Sequence, residues 1–234
     1  MPFWYDEDGP VAAALVNSWS SATWLDLITL PSVNEAMIRE VFERGLALTA
    51  TMQSVEMLVD DGDTTLIGLL RDAGFHREPG DVTAWIDAAT IPPISALAPG
   101  HSLHRRATST EAIHHYAGRN GPDAENCLRQ TSLYRPDLDL FVVDEGGEIA
   151  AYGLFWHDPV TGVGLVEPIR TEQPHQGKGL ARHIVTTGLH ELAAAGSRRI
   201  KVSYDGDDPA AVGLYLGVGF EPAMTCSMWS STAN

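Results

Sequence analysis

The residues best placed by type and spacing to do chemistry run from Leu165 to Ala181, reading LVEPIRT, then EQPH, then QGKGLA. An apolar, extended run enters a glycine-rich turn, and the turn opens a helical pattern. The free N–H groups of a helix's first turn, with the positive end of its dipole, make an anion site. Gly177 and Gly179 let the backbone approach an anion with no Cβ in the way, and Lys178 between them adds positive charge. Such a nest suits a pyrophosphate. It is not a P-loop, because the four-residue gap and the Lys-Ser/Thr ending are missing, and it lacks the third glycine of a dinucleotide fingerprint. His157, Asp158 and His175 stand nearby at strand ends, where single histidines are most often plain surface residues. The pair His114-His115 has no third ligand at usable spacing, so no metal is expected.

These residues must be held by a sheet with flanking helices. Residues 103–107 and 138–143 read as strands, Gly146-Gly147 as the turn of a hairpin returning along 149–156, and 163–171 as the strand feeding the nest. Thr108-Ser109-Thr110-Glu111 caps a first helix, and a second spans 123–134, ending before Pro136. Residues 178–195 carry Leu180, Ala181, Ile184, Val185, Leu189 and Leu192 at helical spacing, with Gly196 at the C-terminal cap position. A strand over 199–204, a helix opened by proline over 209–216 and a final strand over 220–229 complete the order. The pattern predicts an α/β (α+β) fold with a mixed sheet flanked by helices.

Residues 88–101 (AATIPPISALAPGH) hold three prolines and no charge. Proline fixes φ and removes a donor, so this stretch is neither helix nor central strand. It reads as a linker between a first part, 1–87, and a second, 102–234. The first part echoes the second. Phe3, Asp6, Glu7, Gly9, Ala12 and Ala13 fall on Phe141, Asp144, Glu145, Gly147, Ala150 and Ala151. Val41, Phe42, Gly45 and Leu46 fall on Ile184, Val185, Gly188 and Leu189, and Asp63, Gly68, Leu69, Gly74 and Phe75 on Asp208, Gly213, Leu214, Gly219 and Phe220. The order is kept and the offset drifts by only a few residues, so a tandem duplication is expected, its first copy lacking the opening strand and two helices. Against Gln176-Gly177-Lys178-Gly179 stands Val33-Asn34-Glu35-Ala36, and Leu70 stands against Tyr215. The first copy has lost both glycines and reversed a charge, so it is expected to shape the cleft rather than to react.

Gln176-x-x-Gly179-x-Ala181 resembles the pyrophosphate-binding signature of GNAT acetyltransferases, Gln/Arg-x-x-Gly-x-Gly/Ala. Asp208-x-x-Ala211-x-x-Leu214-Tyr215-x-x-x-Gly219-Phe220 resembles that family's second signature, with Asp208 where an asparagine is usual. The resemblance covers residues 103–229 in strand and helix order, and the doubled arrangement resembles tandem GNAT enzymes. It implies a mostly antiparallel mixed sheet, duplicated, with an incomplete first copy. It also implies acetyl-coenzyme A as cosubstrate. The pyrophosphate would sit on Gly177, Lys178, Gly179, Leu180 and Ala181, bordered by Gln176 and Asp208, and the pantetheine arm along Ile169, Arg170 and Thr171, where the sheet splays. Much of the rate would then come from placement. An acceptor amine, with a pKa of about 10, must lose a proton before it attacks. Glu167 is the candidate base, and a solvated or hydrogen-bonded strand glutamate is the other reading. Tyr215 matches the family's proton donor to the leaving thiolate, and a buried helix tyrosine is the other reading.

A chain of 234 residues with 44% hydrophobic and 20% charged residues can bury one large core or two small ones. A net charge of -16 argues against nucleic acid as a partner, because a strongly negative surface repels phosphate. It either concentrates a cationic acceptor, such as a polyamine or an aminoglycoside, or only aids solubility. The acidic start, Met1 to Asp8, lacks the pattern of a secretory signal, and no apolar run approaches the roughly 18 residues of a membrane span. A cytoplasmic protein is expected, with Cys127 and Cys226 as reduced, semi-buried thiols. The leading expectation is an N-acetyltransferase acting on a small amine. An acyl-coenzyme A sensor or scaffold without turnover is the alternative, and acetylation of a protein N-terminus or lysine, which needs an open peptide groove, is a third.

Overall fold

The structure is a computed structural model that describes residues 1–19, 22–109 and 115–232. The chain divides into two compact units. One takes residues 1–82, 205–207 and 224 onward; the other takes 83–204 and 208–223. Among the described residues, no helix is long and apolar enough to cross a membrane.

The first unit runs β1 (Phe3–Asp6), β2 (Gly9–Trp19), β3 (Ala22–Thr29), α1 (Glu35–Leu48), β4 (Ser54–Asp60), α2 (Thr64–Asp72) and β5 (His76–Glu78). Its sheet has the order β1-β2-β3-β4-β12, where β12 is the last strand of the chain (Glu221–Thr232), and β5 also pairs with β12. Only β3 and β4 run parallel within it, through Thr23↔Val55 and Trp24↔Glu56. Alternation along β2 turns Ala12 and Ala14 to the core, where Leu25, Met57, Leu70 and Trp229 meet Val41 and Phe42 of α1. Gly45 lets α1 settle close to Leu25 and Leu27. Both helices are capped by their own side chains: Asn34 Oδ1 accepts from Met37 N at 2.9 Å and Asp63 Oδ1 from Leu66 N at 2.9 Å.

The second unit runs β6 (Asp81–Asp87), β7 (His101–Arg105), α3 (His115–Asn120), α4 (Pro122–Gln130), β8 (Asp139–Asp144), β9 (Ile149–Asp158), β10 (Val163–Thr171), α5 (Leu180–Ala194), β11 (Arg199–Asp205) and α6 (Pro209–Val218). Its strands lie in the order β6-β11-β10-β9-β8-β7. Strands β7 to β10 are antiparallel, and β10 runs parallel to β11. The mixed, mostly antiparallel sheet with flanking helices is the expected class. Nine of the fifteen residues of α5 are buried, seven of them in the unbroken run from His183 to Leu189. A Cβ on Gly188 would collide with the Phe155 ring, and one on Gly153 would lie 2.5 Å from Ile169 and 2.8 Å from Ile184. These two glycines set how closely α5 lies on β9.

Strand 163–171 is observed as expected, and the neighbouring elements differ by one to three residues at their ends. α4 stops earlier than expected, at Gln130, because Thr131 Oγ1 takes the Leu128 carbonyl at 2.6 Å and Tyr134 turns to Asp139 Oδ2 at 2.8 Å. The expected cap residues Thr110 and Glu111, and His114, lie outside the described residues. Cys127 is exposed rather than semi-buried, while Cys226 is half-buried; both thiols are free.

The division into 1–87, 88–101 and 102–234 needs correction. β6 belongs to the second unit from Thr83 onward, and residues 224–232 return to the first unit by pairing with β4 from Cys226↔Asp60 to Thr232↔Ser54. Strand partners are chosen by edge availability rather than by position in the chain. Residues 88–101 are not a free linker either. Their middle, at Pro92 and Ser95, is strapped along α5: His183 Nδ1 meets the Ser95 carbonyl at 2.6 Å, Thr186 Oγ1 accepts from Ser95 N at 3.0 Å, and His190 Nε2 meets the Pro92 carbonyl at 3.0 Å.

Candidate functional site

The parallel pairing of β10 with β11 runs only from Val163↔Arg199 to Val166↔Val202. β10 continues to Thr171, so its last five residues have no strand partner on that side among the described residues. Against β9 the register also shifts between Val166 and Ile169. The bulge takes up Glu167 and Pro168, and the Trp156 indole donates to the Glu167 carbonyl at 2.6 Å. The sheet opens here.

A cavity of about 670 Å³ fills the opening. One wall is Ile169, Arg170 and Thr171 of β10. The floor is the turn and first residues of α5, namely Gln176, Gly177, Gly179, Leu180 and Ala181. The far wall is Asp208, Ala210, Ala211, Leu214 and Tyr215 of α6. Gly177 and Gly179 adopt φ of 75° and 77°, the left-handed region that glycine enters without strain. Nothing lies within 4 Å of where their Cβ atoms would be, so that space is open. α5 begins at Gly179 with no side-chain cap. The amides of Gly177, Lys178 and Gly179 have no acceptor among the described residues, and those of Leu180, Ala181 and Arg182 have none within the helix. Donors and helix dipole therefore converge on one concave patch, which can hold a large anion.

α4 likewise starts without a side-chain cap, at Gly121, so the informative contrast is with α1, α2 and α6. α1, α2 and α6 are each closed by a side chain, Asn34, Asp63 and Asp208, whereas α5 is left open toward a cavity. Asp208 thus borders the cavity and caps α6, with Oδ1 accepting from Ala210 N at 2.9 Å.

Tyr215 is 7% exposed, stacked on Tyr204 at 5.1 Å and set edge-on to Phe220 at 5.8 Å. Its hydroxyl makes no hydrogen bond among the described residues. Burial, and then the negative charge of Glu167, push its pKa well above the ordinary phenol value. The phenol therefore keeps its proton at any ordinary pH. Glu167 is exposed and not on the cavity wall, though near enough for its charge to act on Tyr215.

Lys178 lies off the cavity wall as well. Its Nζ is 3.4 Å from His175 Nδ1, while His175 Nε2 is 3.6 Å from Asp144 Oδ2. His175, set aside in the sequence reading, does line the cavity; His157 instead meets Ser197 Oγ at 2.8 Å on the α5 side. Arg182 was missed. Its helical position three residues past Gly179 was the available signal, since that puts it in the exposed first turn; Nη2 donates to the Gly217 carbonyl at 2.6 Å and joins α5 to α6.

Residues 104–220, half of the chain, match the acetyltransferase (GNAT) family. This protein is a member of that family. The open α5 start lies inside the matched region. A mycothiol acetyltransferase of Mycobacteroides abscessus is 23% identical over 94% of this chain and 81% of its own length. One from Amycolatopsis mediterranei is 35% identical over 35% of this chain and 29% of its own length, so that likeness spans less than a third of the relative. A tandem GNAT protein of the clavulanic acid biosynthesis pathway shares the fold, with a TM-score of 0.75 and 16% identity over 98% of this chain and 81% of that one.

Proposed function

We propose that this GNAT enzyme moves an acetyl group from acetyl-coenzyme A directly onto a small amine. The observation that carries this reading is the uncapped start of α5, opening on the 670 Å³ cavity beside the unpaired end of β10. The amides from Gly177 to Ala181 take the pyrophosphate, with Gln176 and Asp208 at its border. The pantetheine amides pair with Ile169, Arg170 and Thr171, whose edge lacks a strand partner. Glu167 accepts a proton from the acceptor ammonium, directly or through water, and the free amine attacks the thioester carbonyl. The C–S bond breaks, the leaving thiolate takes the Tyr215 proton, and the proton shed by the acylated nitrogen restores the phenol. The net products are an amide, free coenzyme A and one proton.

The first unit supports a second part of the proposal, a duplication whose first copy is vestigial. Its elements β1-β2-β3-α1-β4-α2-β5 follow the order of β8-β9-β10-α5-β11-α6-β12. The start of α1 that answers to the α5 nest is closed by Asn34, with Glu35 in its first turn. Positions answering to Ala211, Leu214 and Tyr215 are Leu66, Leu69 and Leu70, all buried in core.

The test is calorimetry with acetyl-coenzyme A, followed by a panel of amine acceptors that includes the one used by mycothiol acetyltransferases and cationic amines. Saturable cofactor binding and coenzyme A release dependent on an amine are expected. Binding with no release on any amine would favour a sensor, and absence of binding would overturn the site.

A further inference from the structure

A second cavity, of about 190 Å³, lies in the first unit and is lined by Asp61, Thr64, Ile67, Arg71, Arg77 and Trp229. It is not the counterpart of the cofactor cleft. Thr64, Ile67 and Arg71 form one stripe of α2 at helical spacing, while Leu66, Leu69 and Leu70 turn the other way into the core.

The charges around it are unequal. Asp61 is fully engaged: Oδ1 accepts from Ser227 Oγ at 2.6 Å and Arg77 Nη2 at 2.9 Å, and Oδ2 from Thr225 Oγ1 at 3.0 Å. Arg77 Nε also donates to Ser227 Oγ at 2.7 Å. Arg71 is different. Its side chain makes no ion pair or hydrogen bond among the described residues, although the protein carries 31 acidic residues against 15 basic ones. Its guanidinium stands over the Trp229 ring, 5.8 Å from the centroid. Trp229 is 2% exposed, and its enclosed Nε1–H has no acceptor among the described residues. A spare planar cation, an apolar wall of Trp229 and Ile67, and the Thr64 hydroxyl thus share one hollow. Its volume equals that of about six waters, the size of a small organic acid.

We propose that this hollow binds a small monocarboxylate with an apolar body, its carboxylate held by Arg71 and its body against Trp229 and Ile67. A planar guanidinium takes a carboxylate through two parallel hydrogen bonds, and the ring beneath fixes its plane. A bare inorganic anion would leave the apolar wall uncovered. The site stands independently of the acetyl-transfer reading, because none of its residues lines the cofactor cavity.

The test uses the full chain, uniformly 15N-labelled, saturated with acetyl-coenzyme A so that the cleft is filled. Benzoate is the probe. The Trp229 indole N–H resonance, assigned by its loss in Trp229→Phe, should shift saturably. Arg71→Met keeps the aliphatic stem over the ring and removes the guanidinium, and it should weaken benzoate at least tenfold. Arg71 is exposed, so the variant should fold; an unchanged amide spectrum away from α2 verifies this. No saturable shift, or equal benzoate affinity in Arg71→Met, overturns the site. Inorganic phosphate binding as tightly as benzoate overturns the apolar body.

Discussion

Replacing Gly179 by aspartate puts a charge where the structure leaves open space. A Cβ at this position meets nothing within 4 Å, so steric damage to the fold is absent and only the backbone conformation resists. At φ of 77° an ordinary side chain costs roughly 1–2 kcal/mol, less for aspartate and asparagine, which tolerate the left-handed region best. Gly179→Asn therefore shares the shape and the strain of Gly179→Asp and lacks only its charge. A carboxylate about 5 Å from a pyrophosphate, at an effective dielectric near 20, is repelled by about 3 kcal/mol. Solvent around this exposed loop screens part of that, leaving about 1.5–3 kcal/mol, or tenfold to hundredfold in affinity. At a concentration of a hundred times Kd, acetyl-coenzyme A stabilises the wild type by about 2.7 kcal/mol, whereas a variant weakened hundredfold gains about 0.4 kcal/mol. Calorimetric Kd values and the ligand-induced rise in Tm should both rank wild type, Gly179→Asn, Gly179→Asp, and the gap between the two variants should narrow with added salt. Equal affinity for asparagine and aspartate would refute the placement of an anion on this turn.

Further outcomes follow from single contacts. Tyr215→Phe keeps the stacking on Tyr204 and removes the proton, so turnover should fall about tenfold to a thousandfold with cofactor Kd unchanged; a parallel loss of binding would reveal a packing role. Glu167→Gln should cut activity most near neutral pH and least at high pH, where free amine is abundant; a flat deficit across pH would remove it as the base. Gly188→Ala drives a methyl into Phe155 and should destabilise by about 1–3 kcal/mol in urea unfolding, while Gly213→Ala on α6, with nothing within 4 Å, should be neutral or stabilising by up to about 1 kcal/mol. The Ser227 hydroxyl, followed by Thr225 and Arg77, holds Asp61 below the ordinary carboxylate pKa. A lowered folded-state pKa gives stability that is complete above the unfolded value of about 4 and is lost as pH falls below it. Asp61→Asn should therefore flatten the acid limb of a Tm-against-pH curve, and an unchanged limb would mean that Asp61 contributes nothing to it.

Local patterns fixed much of what was found. The β10–turn–α5 unit could be read from Leu165 to Ala181 because each step is a short-range effect: extended apolar residues, glycines where φ turns positive, then apolar positions at helical spacing. The same stretch named most of the cavity wall, and the order of strands and helices made the sheet class legible. Other features had no local signature. Tyr215 is enclosed because Tyr204 and Phe220 come to its ring from other elements, and His175 reaches the cavity while Lys178 turns away from it. Arg77 is engaged because the strand carrying Ser227 returns beside Asp61. The sequence boundary at 87 failed for the same reason: Trp229 fills the core of the first unit from the far end of the chain. Turns and helices are specified by neighbours along the chain, so sequence alone determined them. Strand partners, burial and the balance of charge in a hollow depend on which distant surfaces exclude water together, and those only the tertiary structure decided.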